Sequence, residues 1–147
     1  MMTDSSVDLV AFVGLGAMGG PMCANLAAKS PVPVLAYDLN ADAVASAVRA
    51  GAVEAEGLAA VTEADIIFVC VPGEDETRAV CLGPGGLCDQ ARSGQVVVDC
   101  TTATVAVNLD VAEALTAKGA HFADAPVARG VPNAIEGTLS NKNPPII

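Results

Sequence analysis

The 147-residue chain is long enough for one domain with its own hydrophobic core. Its 7 Lys and Arg stand against 17 Asp and Glu, and the net charge of −10 repels phosphate backbones and anionic lipid, which argues against nucleic acid and membranes as partners. Five Cys, an odd number without a C-x-x-C pair, and the leaderless opening MMTDSSVD point to free thiols in a reducing compartment, so a cytoplasmic location and no metal site are expected.

The composition is 52% hydrophobic but 3% aromatic, so the core must be built from Ala, Val, Leu and Ile, which suits helices packed closely on a sheet. In chain order, the apolar run DLVAFV, Asp8 to Val13, reads as a short buried strand closed by glycine. A helix is predicted from about Met18 to Lys29, whose cationic end suits the negative pole of the helix dipole. VPVLAYD predicts a strand ending at Asp38, and ADAVASAVRAG a helix closed by Gly51. ADIIFVCVP is the clearest strand of all. After it comes a helix from about Glu74 to Cys81, its acidic first turn favoured by the dipole, and then the loop LGPGGL. QVVVDC predicts a further strand, TVAVNLDVAEALTAKG a helix ending at Gly119, and AHFADAP a last short strand stopped by Pro126.

Strands separated by helices of this length need crossover connections, so the expected fold class is α/β, a doubly wound and mainly parallel sheet. The expected organisation is one domain over residues 1–140 and an atypical tail over 141–147. The twenty-residue stretch Leu9 to Ala28 carries no charge, yet Gly14, Gly16, Gly19, Gly20, Pro21 and Asn25 make it a poor lipid-facing helix.

VGLGAMGG supplies G-x-G-x-x-G as Gly14, Gly16 and Gly19, placed directly after the first strand and opening the first helix. In that context Gly14 permits a tight turn, Gly16 leaves room for a pyrophosphate, and Gly19 lets helix and strand pack closely, with the phosphates on the helix amino end. Asp38 ends the second strand about twenty residues later, where an acid accepts hydrogen bonds from the adenosine ribose. No Lys or Arg follows in LNADA, so a 2′-phosphate would meet a carboxylate without a cation, and NAD is favoured over NADP. The blander alternative is a glycine turn with no ligand and an Asp that only starts a helix.

FVGLGAMGGPMCANLAAK resembles the opening signature of the β-hydroxyacid dehydrogenases, the family of 3-hydroxyisobutyrate dehydrogenase and tartronate semialdehyde reductase, with Cys23 in place of the usual Ser or Ala. FVCVP, VVVDCTTATV and FADAPVARGVPNAIEGTLS resemble three further motifs of that family in order and spacing, so the likeness covers about Asp8 to Ser140. It implies a Rossmann-type domain with cofactor contacts from Gly14, Leu15, Gly16, Ala17, Met18, Gly19, Asp38, Val71, Pro72 and Thr102. It also implies substrate contacts from Thr102 and from the loop at Ala128, Arg129 and Gly130, where the family carries Ser-Gly-Gly. The loss of the Ser hydroxyl removes a donor. Arg129 either replaces it with a bidentate one or points to solvent. Thr101 and Thr102 equally suit helix capping.

In the family a lysine handles the hydroxyl proton while hydride passes to the nicotinamide, and that lysine lies in an all-helical domain beyond the stretch matched here. Lys29, Lys118 and Lys142 do not take its place, and His121 reads as structural, so no catalytic residue is expected in this chain. The likeness also implies one more strand after GTLS, which the Pro144-Pro145 pair cannot enter. The expected function is therefore the NAD(P)-binding domain of a 3-hydroxyisobutyrate dehydrogenase-like oxidoreductase for a small hydroxy acid, truncated and inactive by itself. The alternatives are a non-catalytic nucleotide-binding module that self-associates through an exposed interdomain face, or a domain of an imine reductase-like enzyme. A mitochondrial location is known in the family, but no transit peptide is visible.

Overall fold

Val10–Val13 (β1) is buried at every position, as a central parallel strand covered on both faces must be. The computed structural model, which describes residues 6–141, continues with α1 (Gly19–Lys29), β2 (Val34–Tyr37), α2 (Ala41–Arg49), β3 (Val53–Glu54) and α3 (Leu58–Val61). Then come β4 (Ile66–Val69), α4 (Glu74–Leu82), β5 (Val96–Asp99), α5 (Val105–Ala117) and β6 (His121–Asp124). The chain closes with β7 (Val127–Ala128), α6 (Val131–Glu136) and β8 (Ser140–Asn141).

Six strands form one sheet in the order β3-β2-β1-β4-β5-β6, every neighbouring pair parallel. The expected doubly wound sheet is therefore present. Alternation along β1 divides the core into two layers. Val10 and Phe12 pack with Val34, Ala36, Val44 and Cys23 beneath α1 and α2, while Ala11 and Val13 pack with Ile67, Val69, Val97, Val111 and Leu115 on the other face. Across β1 and β4 the rings of Phe12 and Phe68 stack with centroids 6.0 Å apart.

β3, α3, β7, α6 and β8 are too short to display a period of their own and have no counterpart among the expected elements. Neither Thr101 nor Thr102, which suit helix capping by sequence, caps α5. The cap is Thr104, whose hydroxyl accepts from Val107 N at 3.4 Å. β7 stays out of the main sheet and pairs antiparallel with β8, a ladder that reaches Asn141. The rest of the expected tail, Pro144 and Pro145 included, lies outside the described residues, as does Lys142. No helix among the described residues is long and apolar enough to cross a membrane.

Asp99, the last residue of β5, is fully buried. Its Oδ1 accepts from Thr101 N at 2.9 Å, and its Oδ2 has no partner among the described residues. Burial pushes its pKa above the ordinary carboxylate value. Hydrogen bonds from Thr101 oppose the shift, and Asp124, in register on β6, adds to it. Since the folded protein then holds a proton that the unfolded chain has released, stability falls as pH rises above the ordinary carboxylate range. Asp99→Asn keeps an acceptor for Thr101 and removes the charge, so thermal unfolding followed from about pH 4 to pH 8 should decline less steeply in the variant. An unchanged slope would refute a buried charge at this position.

Candidate functional site

Four strand ends converge on a cavity of about 830 Å³ at the carboxyl edge of the sheet. Val13 and Gly14 leave β1, Tyr37 and Asp38 leave β2, Cys70 and Val71 follow β4, and Cys100 and Thr101 follow β5; all line it. The strand order reverses between β1 and β4, so the connections depart to opposite faces there and leave a crevice above the strand ends.

The glycine turn forms its floor. Gly14 adopts φ +94°, and a Cβ there would strike the Cys70 carbonyl, while a Cβ on Gly19 would strike the carbonyl of Gly14. Gly16 is exposed toward the cavity, with nothing within 4 Å of a Cβ placed on it. The first and third glycines thus serve chain packing, and the second keeps open space. At α1 no side chain caps the amino end and no acid sits in the first turn, in contrast to α2, which Asn40 caps, and α5, which Thr104 caps. Among the described residues no hydrogen bond takes up the N–H groups of Gly16, Ala17 and Met18. Unpaired donors at the positive end of a helix make an anion site.

Asp38 stands at the cavity edge and does two jobs. Its Oδ2 accepts from Leu15 N at 2.7 Å and its Oδ1 from Asn40 N at 2.8 Å, which ties the glycine turn to the end of β2. Each carboxylate oxygen keeps further acceptor capacity for a ligand hydroxyl. Opposite, the Val71 N–H donates to the buried Thr101 hydroxyl at 3.1 Å and so fixes the wall between β4 and β5.

Of the residues implied by the likeness, Gly14, Gly16, Ala17, Met18, Gly19, Asp38, Val71, Pro72, Thr102 and Arg129 all line this one cavity. Leu15 does not. Its side chain is buried under α1 and it reaches the site only through its N–H. Ala128 and Gly130 also lie outside the lining, where Val127 appears instead, and Gly130 serves as the N-cap of α6. Tyr37, Leu39, Glu76 and Val80 are lining residues for which the sequence held no motif. Leu39, 92% exposed at the mouth, is signalled only by its place after Asp38. The thiols of Cys70 and Cys100 are pushed up to about 11 and about 12 by burial, so they stay protonated.

Among the described residues Arg129 is the one cation in the lining, which also holds the acids Asp38 and Glu76. It is also the one described non-glycine residue with positive φ, at +78°. Arg129 Nη1 donates to Thr138 O at 3.2 Å, which leaves the remaining guanidinium donors free of protein partners among the described residues. Lys29, at the end of α1, and Lys118, bonded to Asp89 O at 3.2 Å, are both absent from the lining. His121 is exposed at the opposite, amino end of β6.

A parallel sheet in this order, with a glycine turn, an uncapped helix and an acid at the next strand end, defines a Rossmann-type dinucleotide-binding domain. The chain belongs to the family described as the NAD binding domain of 6-phosphogluconate dehydrogenase, whose pattern it matches over residues 9–141. It is 39% identical over 132 residues to 2-(hydroxymethyl)glutarate dehydrogenase of Eubacterium barkeri, covering 89% of this chain and 44% of that protein. The same identity and coverage hold for 3-hydroxyisobutyrate dehydrogenase of Pseudomonas aeruginosa. Among solved structures, Psf3 in complex with NADP+ and 2-OPP superposes with a TM-score of 0.84 at 32% identity, over 90% of this chain and 47% of that one. The chain thus spans about half the length of the relatives it matches. It is an NAD(P)-binding domain of the 3-hydroxyisobutyrate dehydrogenase-like oxidoreductases.

The three glycines separate experimentally. Ala at Gly14 or Gly19 is expected to cost about 2 kcal/mol or more in urea unfolding, because backbone must move. Gly16→Ala should leave stability within about 0.5 kcal/mol and weaken dinucleotide binding by about tenfold or more, as read by calorimetry. Equal losses of stability at all three positions would contradict this division.

Proposed function

We propose that this chain binds NAD in preference to NADP and forms the cofactor half of a dehydrogenase for a small hydroxy acid with an anionic group. The observation that carries the reading is the open amino end of α1 facing the same cavity as Asp38. The residues fit a dinucleotide. Gly16, Ala17 and Met18 would hold the pyrophosphate through backbone N–H groups, Asp38 the adenosine ribose, and Val71, Pro72 and Thr102 the nicotinamide side. Bound there, the nicotinamide supplies hydride transfer. The preference for NAD rests on charge: Asp38 is followed by Leu39 and Asn40, so a 2′-phosphate would meet a carboxylate and no adjacent cation.

Arg129 is assigned to the anionic group of the substrate, and this supports a hydroxy acid as substrate class. Holding a side chain at positive φ costs of order 1 kcal/mol, and strain of this kind clusters at ligand sites. Among the described residues no Lys or His lines the cavity to move the hydroxyl proton, and the proposal is that the 147-residue chain binds the dinucleotide without turnover. Its five free thiols fit a reducing compartment such as the cytoplasm.

Calorimetric titration with NAD and NADP provides the test. NAD should bind at least about tenfold more tightly, and Asp38→Ser should weaken NAD and narrow the ratio. Equal affinities in the parent chain would remove the NAD assignment, and no saturable binding of either would remove the cofactor reading. Arg129→Gly should raise stability by about 0.5–1 kcal/mol, since glycine adopts positive φ freely. A loss of stability would show that the Thr138 contact outweighs the strain.

A further inference from the structure

Asn25 lies on α1, two turns beyond the glycine turn, and its side chain crosses to the far end of the chain. Its Nδ2 donates to Ala134 O at 2.8 Å and to Ile135 O at 3.3 Å in the last turn of α6, where Ala134 O also accepts from the Gly137 N–H at 3.3 Å. Gly137 closes α6 in the left-handed conformation, at φ +73°. A Cβ on Gly137 would come within 3.2 Å of Lys29 Nζ and 3.5 Å of Asn25 Nδ2, so α1 is moulded closely around this turn.

The contacts continue from that turn to the cavity. Thr138 N donates to Asn133 O at 2.8 Å, and Asn133 Nδ2 to the Thr138 hydroxyl at 3.0 Å. The carbonyl of Thr138 then accepts from Arg129. Hydrogen bonds, linked by the short backbone from Asn133 to Ile135, thus join the helix that opens at the glycine turn to the guanidinium in the cavity.

We propose that Asn25 is a positioning residue: its amide mounts the Arg129 loop on α1, so that the anion-binding arginine and the open helix end share one rigid support. The assignment of Arg129 to a substrate anion rests on the function proposed above, whereas the mounting of the loop does not. Without the amide, α6 loses its external cap and Arg129 samples positions away from the cavity. The cost falls on the second ligand and leaves the dinucleotide nearly untouched.

The experiment uses the 147-residue chain with Asn25→Asp, which keeps the shape and removes the donor, and Asn25→Ala as a second variant. Hydrogen exchange over residues 131–138 should quicken by about tenfold in both, with α1 unchanged. NADH affinity should stay within about twofold of the parent. Tartronate, titrated into the NADH complex, should bind about 5- to 10-fold more weakly, and this loss should vanish when Arg129 is already Gly. Unchanged exchange over 131–138 overturns the proposal, as does an equal loss of NADH and tartronate affinity. A parent chain that binds no NADH, or NADH without tartronate, removes the functional reading instead, and the exchange result still decides whether Asn25 holds the loop.

Discussion

Everything at the carboxyl edge of this sheet depends on one contact of backbone against backbone. The turn that leaves β1 is packed so closely that a Cβ on Gly14 would strike the Cys70 carbonyl and one on Gly19 the carbonyl of Gly14. That approach pulls α1 across the end of β4, and its amino end then opens into the crevice between β1 and β4 with its N–H groups unpaired. Asp38 locks the arrangement from the other side by accepting the Leu15 N–H. An acid that reads as a ligand contact is therefore also a structural clamp, and a carboxylate has more acceptor sites than this clamp uses.

Electrostatics divide the cavity in a way that net charge hides. A chain at −10 would be expected to repel an anionic ligand, yet three local features attract one. The helix dipole and the free backbone N–H groups lie at the glycine turn, and the positive charge of Arg129 stands in the same lining. Desolvation at the crevice strengthens these short-range terms, whereas the surface acids are screened within about 10 Å at ordinary ionic strength. The same burial keeps the thiols of Cys70 and Cys100 protonated, so they fill space at the wall and add no charge to it.

Much of this was legible in the residues. The five longer strands and four longer helices that build the sheet and its two faces show in the sequence, and G-x-G-x-x-G after a strand locates the turn. The short elements were not legible: β3 and β7 have two residues each and α3 has four, and they owe their conformation to neighbours rather than to their own pattern. Capping was misplaced for a related reason. Thr101, Thr102 and Thr104 are equivalent as sequence, but Thr101 is drawn into the strand edge by Asp99 and Val71, which leaves Thr104 for α5.

What the sequence determined by itself was the alternation of strand and helix, the position of the phosphate turn and the acid that accompanies it, because each follows from local periodicity or from spacing along one strand-turn-helix unit. Only the tertiary structure decided which candidates share a cavity. It set Leu15 and Gly130 apart from the lining, brought in Tyr37, Leu39 and Val80, and gave Arg129 its strained backbone beside the site. It also joined Asn25 to Ala134 over 109 residues. Such contacts depend on how the crossovers fold back over the sheet, and no local pattern encodes a distance between segments that meet only when the sheet is complete.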